Sequence, residues 1–483
     1  MKTNNHVVRP FLIGSEWVTG GGQPFNCTNP ATGQINAVFG TADEKDVARA
    51  VQTAKAAQAC PSWRQLFSHQ RASILYRLAS LVEDKKEFLA DLQMKENGKL
   101  YKECLGQAKE AAATYRYFAG ICETIPGELA PTRGDHLSLV TYEPYGVVAI
   151  ITPWNSPLVL EAQKVGAALA AGNAVVLKPS EFTPESALQL AEIALKAGLP
   201  PGILNVLTGG GETGAALVRH PDVRMISFTG GTATGKRIAR EAANRLAAVA
   251  LELGGKSPHI VFADADLDLA LSEVLNGVFS SSGQSCIAGT RLFVERSIYE
   301  DFVGALVQLS AALRVGPPDD PTSQFAPLSS FTHRDKVESM VQMAIEDGAT
   351  VLLGGARPDA QHLSNGAYYL PTILAGMDNN SRICQQEVFG PVLCVLPFES
   401  EEALIELAND NVLGLGCGVW TKDFPKAYRI AKAIEAGTVW INTYKRLSVS
   451  APFGGFKESG IGREKGFLGI RTYQETKTII IGI

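Results

Sequence analysis

The sequence has no excess of basic residues and no long apolar run. Its 44 Lys and Arg are outnumbered by 49 Asp and Glu, and the net charge is −5. Nucleic-acid-binding domains are typically basic, so this balance argues against a nucleic-acid partner. The longest apolar stretch, residues 165–177, is too short to cross a bilayer and is broken by Gly172-Asn173. We therefore expect no membrane partner.

Cysteine and histidine are scarce and scattered. The eight cysteines form no CxxC pair, and none is spaced with histidines as in a zinc site, so we expect no metal. Dispersed cysteines in a chain of this length predict free thiols in a reducing compartment. The first six residues lack the apolar core of a signal peptide. Together these features predict a cytoplasmic protein.

The hydrophobic pattern predicts an α/β protein. The 483 residues, 46% of them hydrophobic, suit about three globular domains. Helical spacing of apolar residues marks residues 46–59, 70–96 and 102–123. Apolar strands then alternate with helices over 147–246 and again over 259–442. Such alternation predicts parallel sheets covered by helices, with ligands bound beyond the C-terminal strand ends. An active site between the two blocks follows.

Two short β patterns lie apart from these blocks. Residues 137–142 alternate apolar and polar side chains, and residues 476–481 form an apolar strand near the C-terminus. An exposed terminal strand can pair with the edge of another chain, or it can belong to an ordinary sheet of its own. The pattern leaves both interpretations open.

Cys286 is the main candidate for chemistry. Most cysteines are inert and buried, but this one lies among glycine, serine and other small residues instead of in a Leu, Ile and Val run. Upstream, Glu252 lies next to a double glycine in Leu251-Glu252-Leu253-Gly254-Gly255. A thiol can attack a carbonyl carbon, and a carboxylate can activate the water that releases the product. The pair predicts covalent catalysis.

Two glycine-rich turns each join a strand to a helix. Residues 209–214 match G-x-G-x-x-G, but no acid follows at the spacing that binds a ribose, which favours a structural turn. Residues 228–237 offer N–H groups at a helix N-terminus, where phosphate binds. Arg237 follows Lys236 where a nucleoside triphosphatase has Ser or Thr. A plain glycine-rich turn remains the alternative for this second segment.

Polar residues also end two of the predicted strands. Lys178 and Glu181 end one strand, where ribose binds in such folds, and a solvated ion pair is the alternative. Asn155 lies between Pro153 and Pro157 at the end of another. Its amide suits an oxyanion hole, and ordinary turn chemistry is the alternative.

Taken together, the motifs resemble those of the aldehyde dehydrogenase superfamily, of the hydrolytic, NAD(P)-dependent type, over essentially the whole chain. Each motif is weak alone, whereas their shared order and spacing are specific. They are Pro153-Trp154-Asn155, Lys178-Pro179-Ser180-Glu181, Phe228-Thr229-Gly230, Glu252-Leu253-Gly254-Gly255-Lys256, Gly283-Gln284-Ser285-Cys286, Glu387-Val388-Phe389-Gly390-Pro391, and Pro452-Phe453-Gly454-Gly455-Phe456-Lys457 with Ser459-Gly460-Ile461-Gly462-Arg463-Glu464.

The resemblance implies catalytic roles. Cys286 would be the nucleophile, with Asn155 and the backbone N–H of Cys286 holding the oxyanion. Glu252 would be the general base for deacylation. Lys164 and Glu464 match positions that the family links to proton relay.

The resemblance also implies NAD as the cofactor, with NADP possible. Lys178 and Glu181 would bind the adenosine ribose, and Glu387 the nicotinamide ribose, with Phe389 beside the ring. One departure is Gly231, where the family often has serine, although backbone N–H groups there can still bind phosphate. The other implied cofactor positions are Ile151, Thr152, Trp154, Gly211, Phe228, Gly230, Thr234 and Leu253.

The same resemblance implies a domain organisation. A Rossmann-like NAD-binding domain would comprise residues 1–122 and 145–254, and a catalytic α/β domain residues 255–465. Residues 123–144 and 466–483 would form a small β element that assembles a homodimer or homotetramer.

The implied reaction is NAD-dependent oxidation of an aldehyde to the carboxylic acid, through a thiohemiacetal and a thioester on the cysteine. Two alternatives remain. A CoA-acylating relative would generally lack the glutamate base, so Glu252 argues against it. A cysteine hydrolase without a redox cofactor would need a histidine partner for Cys286, and only His259 lies near it in sequence.

The motif alignment predicts a moderately apolar substrate pocket without bulky aromatic side chains, which favours a neutral aldehyde. Lys445 and Arg446 fall near its mouth, where they could recruit a carboxylate-bearing aldehyde. We favour a solvated pair of loop residues over that role. The predicted pocket residues are Ser156, Val159, Leu160, Gln163, Ser285, Ile287 and Leu447.

Overall fold

A computed structural model describes residues 7–132 and 134–483. The predicted absence of a signal peptide concerned the first six residues, which lie outside the described residues. Within it, no helix has the length and apolarity needed to cross a membrane. The same residues contain no group of three or more His, Cys, Asp or Glu side chains placed to hold a metal ion.

The N-terminal part contains short strands followed by long helices. Its strands are β1 (Val8–Arg9), β2 (Phe11–Ile13), β3 (Glu16–Val18), β4 (Gly22–Thr28) and β5 (Ile35–Thr41). Its helices are α1 (Glu44–Ala59), α2 (Pro61–Arg64), α3 (Ser68–Asp84), α4 (Lys86–Asn97) and α5 (Tyr101–Cys122). The single helix predicted over 70–96 is in fact two, because Lys85 leaves helical geometry at φ −103°, ψ 11°.

The middle of the chain alternates strands and helices as the pattern predicted. The strands are β6 (Glu128–Ala130), β7 (His136–Pro144), β8 (Val147–Ile151), β9 (Ala174–Lys178), β10 (Leu204–Val206), β11 (Met225–Thr229) and β12 (Ala248–Glu252). The helices are α6 (Pro157–Ala170), α7 (Pro184–Lys196), α8 (Gly211–Arg219) and α9 (Thr232–Ala243).

The C-terminal half repeats this alternation. Its strands are β13 (Pro258–Val261), β14 (Arg291–Glu295), β15 (Thr350–Leu353), β16 (Thr372–Ala375), β17 (Val392–Phe398), β18 (Leu413–Gly414), β19 (Gly416–Trp420), β20 (Thr438–Ile441), β21 (Phe456–Lys457), β22 (Gly460–Ile461) and β23 (Gln474–Gly482). Its helices are α10 (Leu267–Phe279), α11 (Tyr299–Ala311), α12 (Phe331–Glu346), α13 (Arg382–Gln385), α14 (Glu401–Asn409), α15 (Phe424–Ala433) and α16 (Gly466–Arg471). The pattern had not indicated α12 or α15.

Two large sheets organise the fold. The first runs β22-β12-β11-β8-β9-β10-β2-β3, with β12 to β10 parallel. The second runs β15-β16-β17-β14-β13-β19-β20 and is parallel apart from β15. Strands β8, β9 and β11 are buried along their whole length, as parallel strands covered on both faces are. Chain order reverses between β8 and β11, and such a switch point opens a crevice for ligands.

The two loose strands meet each other in a separate antiparallel sheet. Residues Gln474 to Gly482 of β23 pair with His136 to Pro144 of β7, and β6 completes the order β23-β7-β6. The segments 123–144 and 466–483 are therefore joined in space. One strand crosses the predicted domain boundary, since β22 lies within 255–465 but pairs with β12 of the first sheet.

Candidate active site

Two adjoining cavities open where the parallel strands of the first sheet end. The first, of about 440 Å³, contains Cys286, and the second, of about 510 Å³, lies over β8, β9 and β11. Pro153, Trp154, Thr229 and Gly230 line both. The two spaces therefore meet at the switch point, where a ligand can extend from one into the other.

Cys286 follows a strained turn that other elements hold in place. Ser281 and Ser282 have φ of 56° and 55°, a left-handed conformation that is costly for residues other than glycine. The Ser281 N–H donates to Glu103 Oε1 at 2.8 Å, and the Ser282 hydroxyl donates to the Ala326 carbonyl at 2.7 Å. The turn thus presents the half-buried thiol to the first cavity.

The double glycine lets the loop after Glu252 pass directly against the cysteine. A Cβ at Gly255 would lie 2.2 Å from the carbonyl oxygen of Cys286, a distance that no side chain tolerates. Burial raises the pKa of the Cys286 thiol to about 12, and the charges of Glu387 and Glu252 add to this. Lys445 opposes the rise.

Asn155 lines the same cavity as Cys286. Its Nδ2 donates to the Gln284 carbonyl at 3.1 Å, and its buried Oδ1 has no hydrogen-bond partner among the described residues. The loop is further held by Asn97 Nδ2, which donates to the Trp154 carbonyl at 3.2 Å. An amide has two N–H donors, so Asn155 retains one for an oxyanion.

Glu252 lies in the interior of the protein. It ends β12 and is buried, yet neither carboxylate oxygen has a hydrogen-bond partner among the described residues. It is also absent from the residues that line the first cavity. Burial, followed by the nearby charge of Glu464, raises the pKa of Glu252 well above its usual value, and Lys164 opposes the rise. In this conformation the carboxyl does not line the cavity, although its charge is near enough to raise the pKa of Cys286.

Lys164 and Glu464 form a buried ion pair behind Glu252. Lys164 Nζ also donates to Ser227 Oγ at 3.1 Å, and that oxygen lies 2.8 Å from the Tyr473 hydroxyl. Burying an ion pair is costly because both charges lose their hydration. Apolar residues of similar size often stabilise a core at least as much as a buried ion pair does. Stability alone therefore does not account for a buried ion pair at this position.

The second cavity is lined by most of the predicted cofactor residues: Ile151, Thr152, Trp154, Lys178, Glu181, Gly211, Phe228, Gly230 and Thr234. Lys178 Nζ lies 3.7 Å from Glu181 Oε2, and burial lowers the pKa of Lys178. The 209–214 turn, interpreted as structural, also borders this space through Gly210, Gly211 and Gly214. Two further cations line it: Arg219, which sequence reasoning missed, and Arg237, which belongs to the 228–237 turn.

The remaining predicted cofactor residues, Gly231, Leu253, Glu387 and Phe389, line the first cavity. Glu387 Oε1 accepts a hydrogen bond from the Gly255 N–H at 3.0 Å, and burial raises its pKa to about 7. A Cβ at Gly254 would come within 2.4 Å of Glu387 Oε2, which explains a glycine there. Phe389 is left-handed at φ 58°, and its ring meets Trp154 edge-on at 5.3 Å.

The predicted substrate residues Ser156, Val159, Leu160, Gln163, Ser285, Ile287 and Leu447 all line the first cavity. Lys445 lines it too, whereas Arg446 is exposed and is not among the lining residues. Sequence reasoning missed Gln107, Glu110, His333, Lys336, Phe453 and Lys465, which are also in the wall. Lys465 directly follows Glu464 and could have been found from that motif. The others come from distant segments that only the fold brings near.

The histidine nearest to Cys286 in sequence is not its partner. His259 is fully buried on β13, and burial lowers its pKa to about 3. It packs against Tyr444 at 3.9 Å between ring centroids, outside the cavity. His333 does line the cavity, but its Nε2 is 2.8 Å from the Phe389 carbonyl oxygen.

Comparison with known proteins places this arrangement in a family. The sequence model of the aldehyde dehydrogenase family matches residues 17–479. A (Z)-2-((N-methylformamido)methylene)-5-hydroxybutyrolactone dehydrogenase of Acinetobacter baylyi is 44% identical over 95% of this chain and 94% of its own length. A betaine aldehyde dehydrogenase of Bacillus subtilis is 40% identical over 97% of this chain and 96% of its own.

The solved structures agree. An aldehyde dehydrogenase from Bacillus cereus, determined as its NAD⁺ complex, superposes with a TM-score of 0.96 at 40% identity, over 99% of this chain and 97% of that one. Sequence and fold therefore correspond over nearly the whole chain, and the predicted fold class is confirmed. With the thiol, the amide and the glycine-rich cavity already in place, the conclusion is that this chain belongs to the aldehyde dehydrogenase family.

Proposed function

We propose that this protein oxidises an aldehyde to the carboxylic acid with NAD, using Cys286 as its nucleophile. The observation that carries the proposal is that Cys286 and Asn155 line one cavity, and that this cavity continues into the glycine-rich space over the strand ends. A carbonyl beside the thiol would lie at the entrance to a nucleotide site. Family membership supports the same reaction class.

The lining of the second cavity suits a dinucleotide. A Cβ at Gly210 or Gly211 would meet no atom within 4 Å, so these backbones border open space that phosphate can approach. The hydroxyls of Thr152 and Thr229 are buried without a hydrogen-bond partner among the described residues, and both line the cavity. The Bacillus cereus relative binds NAD⁺. NAD, when bound, accepts the hydride released by the substrate.

The chain's own groups supply the remaining chemistry. The Cys286 thiol loses its proton to solvent as its Sγ bonds to the carbonyl carbon, and the resulting oxyanion accepts hydrogen bonds from the Asn155 amide and the Cys286 backbone N–H. Glu252 then takes a proton from water, which attacks the thioester carbon and releases the acid. This step needs the Glu252 carboxylate, which does not line the first cavity, to reach that water. Lys164 and Glu464 lie where the proton would leave.

The test is NADH formation from aldehydes, with product analysis. We expect one carboxylic acid per NADH and no change in rate when coenzyme A is added. Formation of an acyl-CoA would instead support the CoA-acylating alternative. Release of product from an ester without NAD would support the cysteine hydrolase, which we disfavour because no histidine hydrogen-bonds the thiol within residues 7–132 and 134–483.

Cofactor choice gives a further expected result. Glu181 would place a carboxylate near the adenosine ribose and repel a 2′-phosphate, but Lys178, Arg219 and Arg237 share the cavity and weaken this repulsion. We expect kcat/KM to favour NAD over NADP by about tenfold, within the range of a single charge contact. Glu181→Gln should bring the kcat/KM values for NAD and NADP closer together. Comparable kcat/KM for both cofactors in the unmodified enzyme would refute this role of Glu181.

We also infer a cytoplasmic homodimer or homotetramer assembled through β23. This strand is at the edge of its sheet, and Ile479, Ile480 and Ile481 are exposed on it. An apolar edge strand of this kind favours pairing with another chain.

Deletion of residues 478–483 should therefore lower the assembly state, measured by light scattering after size-exclusion chromatography. Ile480→Lys, which keeps the strand but charges a side chain that is 67% exposed, should act in the same direction. A truncated protein of unchanged mass would show that this strand is not in the interface.

A further inference from the structure

We propose that the aldehyde substrate carries a carboxylate, and that Lys465 and Lys445 bind it in the cavity that contains Cys286. This inference rests on the proposed function, because it concerns the far end of the molecule whose carbonyl meets the thiol. It departs from the neutral substrate that the sequence favoured. The oxidation steps described above give Lys465 no part, and Lys445 enters them only through its charge near the Cys286 thiol, so substrate binding is a further role for both lysines.

The position of Lys465 supports this proposal more strongly than that of Lys445. It lines the cavity while being only 3% exposed, and its Nζ makes no hydrogen bond among the described residues. Its nearest carboxylate, Glu110 Oε1, is 3.6 Å away and belongs to a side chain that is 47% exposed. A buried ammonium normally has acceptors for its protons. This one has an ion-pair partner at the rim and donors left for a ligand.

The backbone is also strained to place this lysine. Lys465 has φ 59° and ψ 173°, a region that is occupied almost only by glycine. A glycine at this position would relieve the strain but would leave no side chain in the cavity. The energetic cost of the conformation is consistent with a functional role for the ammonium group.

Lys445 supplies a second donor from another loop. It too is left-handed, at φ 53°, and its Nζ donates to the neutral Ser280 Oγ at 2.8 Å. An ammonium group has three protons, so two remain for a ligand. Burial lowers the pKa of Lys445 to about 8, which leaves the group largely protonated at neutral pH.

A third cation lies behind the wall. Lys99 is buried, and its Nζ is 3.3 Å from Ser156 Oγ, which also accepts a hydrogen bond from Gln107 Nε2 at 3.0 Å. A hydroxyl that accepts two hydrogen bonds can direct its own proton elsewhere, and Ser156 lines the cavity. Ser156 and Gln107 therefore add neutral donors to the cavity that Lys445 and Lys465 also line.

Carboxylates of the protein do not cancel this positive charge. Glu110 is at the rim beside Lys465, and Glu103 accepts the Ser281 N–H at 2.8 Å, which directs it toward the turn that holds Cys286. Lys99, Lys445 and Lys465 outnumber them. Glu387 lies two residues before Phe389, and Lys336 is near both Glu387 and His333, so we place these two groups with the cofactor.

The same arrangement disfavours a cationic substrate. A quaternary ammonium group is usually held by several aromatic faces and is repelled by lysines. Among the lining residues, Trp154 and Phe389 belong to the cofactor end, which leaves Phe453 alone at the substrate end. The related betaine aldehyde dehydrogenase of Bacillus subtilis is 40% identical to this chain. We infer that this chain does not use a trimethylammonium aldehyde.

The experiment compares matched aldehydes with NAD in the full-length enzyme. The semialdehydes of succinate and glutarate are each assayed beside the methyl ester, and beside a trimethylammonium aldehyde of similar length. We expect kcat/KM for the acid to exceed that for its ester by at least about tenfold, the size of one hydrogen bond to a charged group. The trimethylammonium aldehyde should be the poorest substrate.

Variants then assign the preference to its residues. Lys465→Met should bring the acid-to-ester ratio close to one, chiefly by raising KM for the acid, and Lys465→Arg should retain the preference. Glu110→Gln removes the competing carboxylate and should increase the ratio. Lys109→Met is the matched control, since Lys109 is exposed on α5, the helix that carries Glu110, and does not line the cavity.

The outcomes separate this inference from the proposed function. Oxidation of no aldehyde with NAD would refute the proposed function. Oxidation of the ester and the acid at equal kcat/KM would refute the carboxylate inference alone. An equal loss on both substrates in Lys465→Met would mean that the lysine acts through its neighbour Glu464, which would also refute it. If Lys465→Met does not fold, an unchanged ratio in Glu110→Gln decides against the inference.

Discussion

Replacing Cys286 with serine is expected to lower kcat/KM for aldehyde oxidation by more than about 1,000-fold, the scale on which enzymes lose activity without their nucleophile. A serine hydroxyl needs a dedicated base, and no histidine is placed to provide one. His333 is 2.8 Å from the Phe389 carbonyl, and burial lowers its pKa to about 4. Affinity for NAD should persist, because the second cavity does not include Cys286.

The measurements are NADH formation and quenching of tryptophan fluorescence by NAD, since Trp154 lines both cavities. Cys60→Ser is the control, because Cys60 is the exposed cysteine among the free thiols of the described residues, and it should keep full activity. A Cys286→Ser enzyme with a tenth of the original activity would place the nucleophile elsewhere. Loss of NAD affinity together with activity would indicate damage to the fold.

Replacing Glu252 with glutamine is expected to stop the reaction after one hydride transfer. The amide cannot take a proton from water, so the thioester persists and turnover falls by about 100-fold or more, as for loss of a general base. Rapid mixing should show a burst of about one NADH per active site, followed by a slow steady state. Because burial raises the pKa of Glu252, the steady-state rate of the unmodified enzyme should rise with pH as this carboxyl loses its proton.

Two comparisons sharpen this experiment. Glu402→Gln, at an exposed position of α14, should leave both phases unchanged. If the burst itself disappears in Glu252→Gln, the carboxylate acts before hydride transfer, for instance on the thiol. A burst with unaltered steady-state turnover would remove Glu252 from the mechanism.

The sequence alone determined the family and predicted the groups that we propose for the chemistry. Periodicity of apolar residues predicted the alternating strands and helices of both blocks, because a strand covered on both faces must be apolar along its length. Local motifs identified Cys286, Asn155 and Lys178, since a turn between strand and helix is encoded by neighbouring residues. Gly254 and Gly255 were found in the same way, and the structure supplies their reason in the close approach of Glu387 and Cys286.

Only the tertiary structure decided the character of the substrate pocket. Glu110 of α5 and Lys465 lie 3.6 Å apart although more than 300 residues separate them along the chain. The spacing of apolar residues along the chain does not predict such a contact, because the contact depends on how whole helices and strands pack against each other. The same reason explains why the pattern did not separate Lys445, which lines the cavity, from Arg446, which does not, and did not show that Glu252 is buried close to Glu464. Local pattern specifies which residues a strand end presents, whereas packing between distant elements specifies what those residues face.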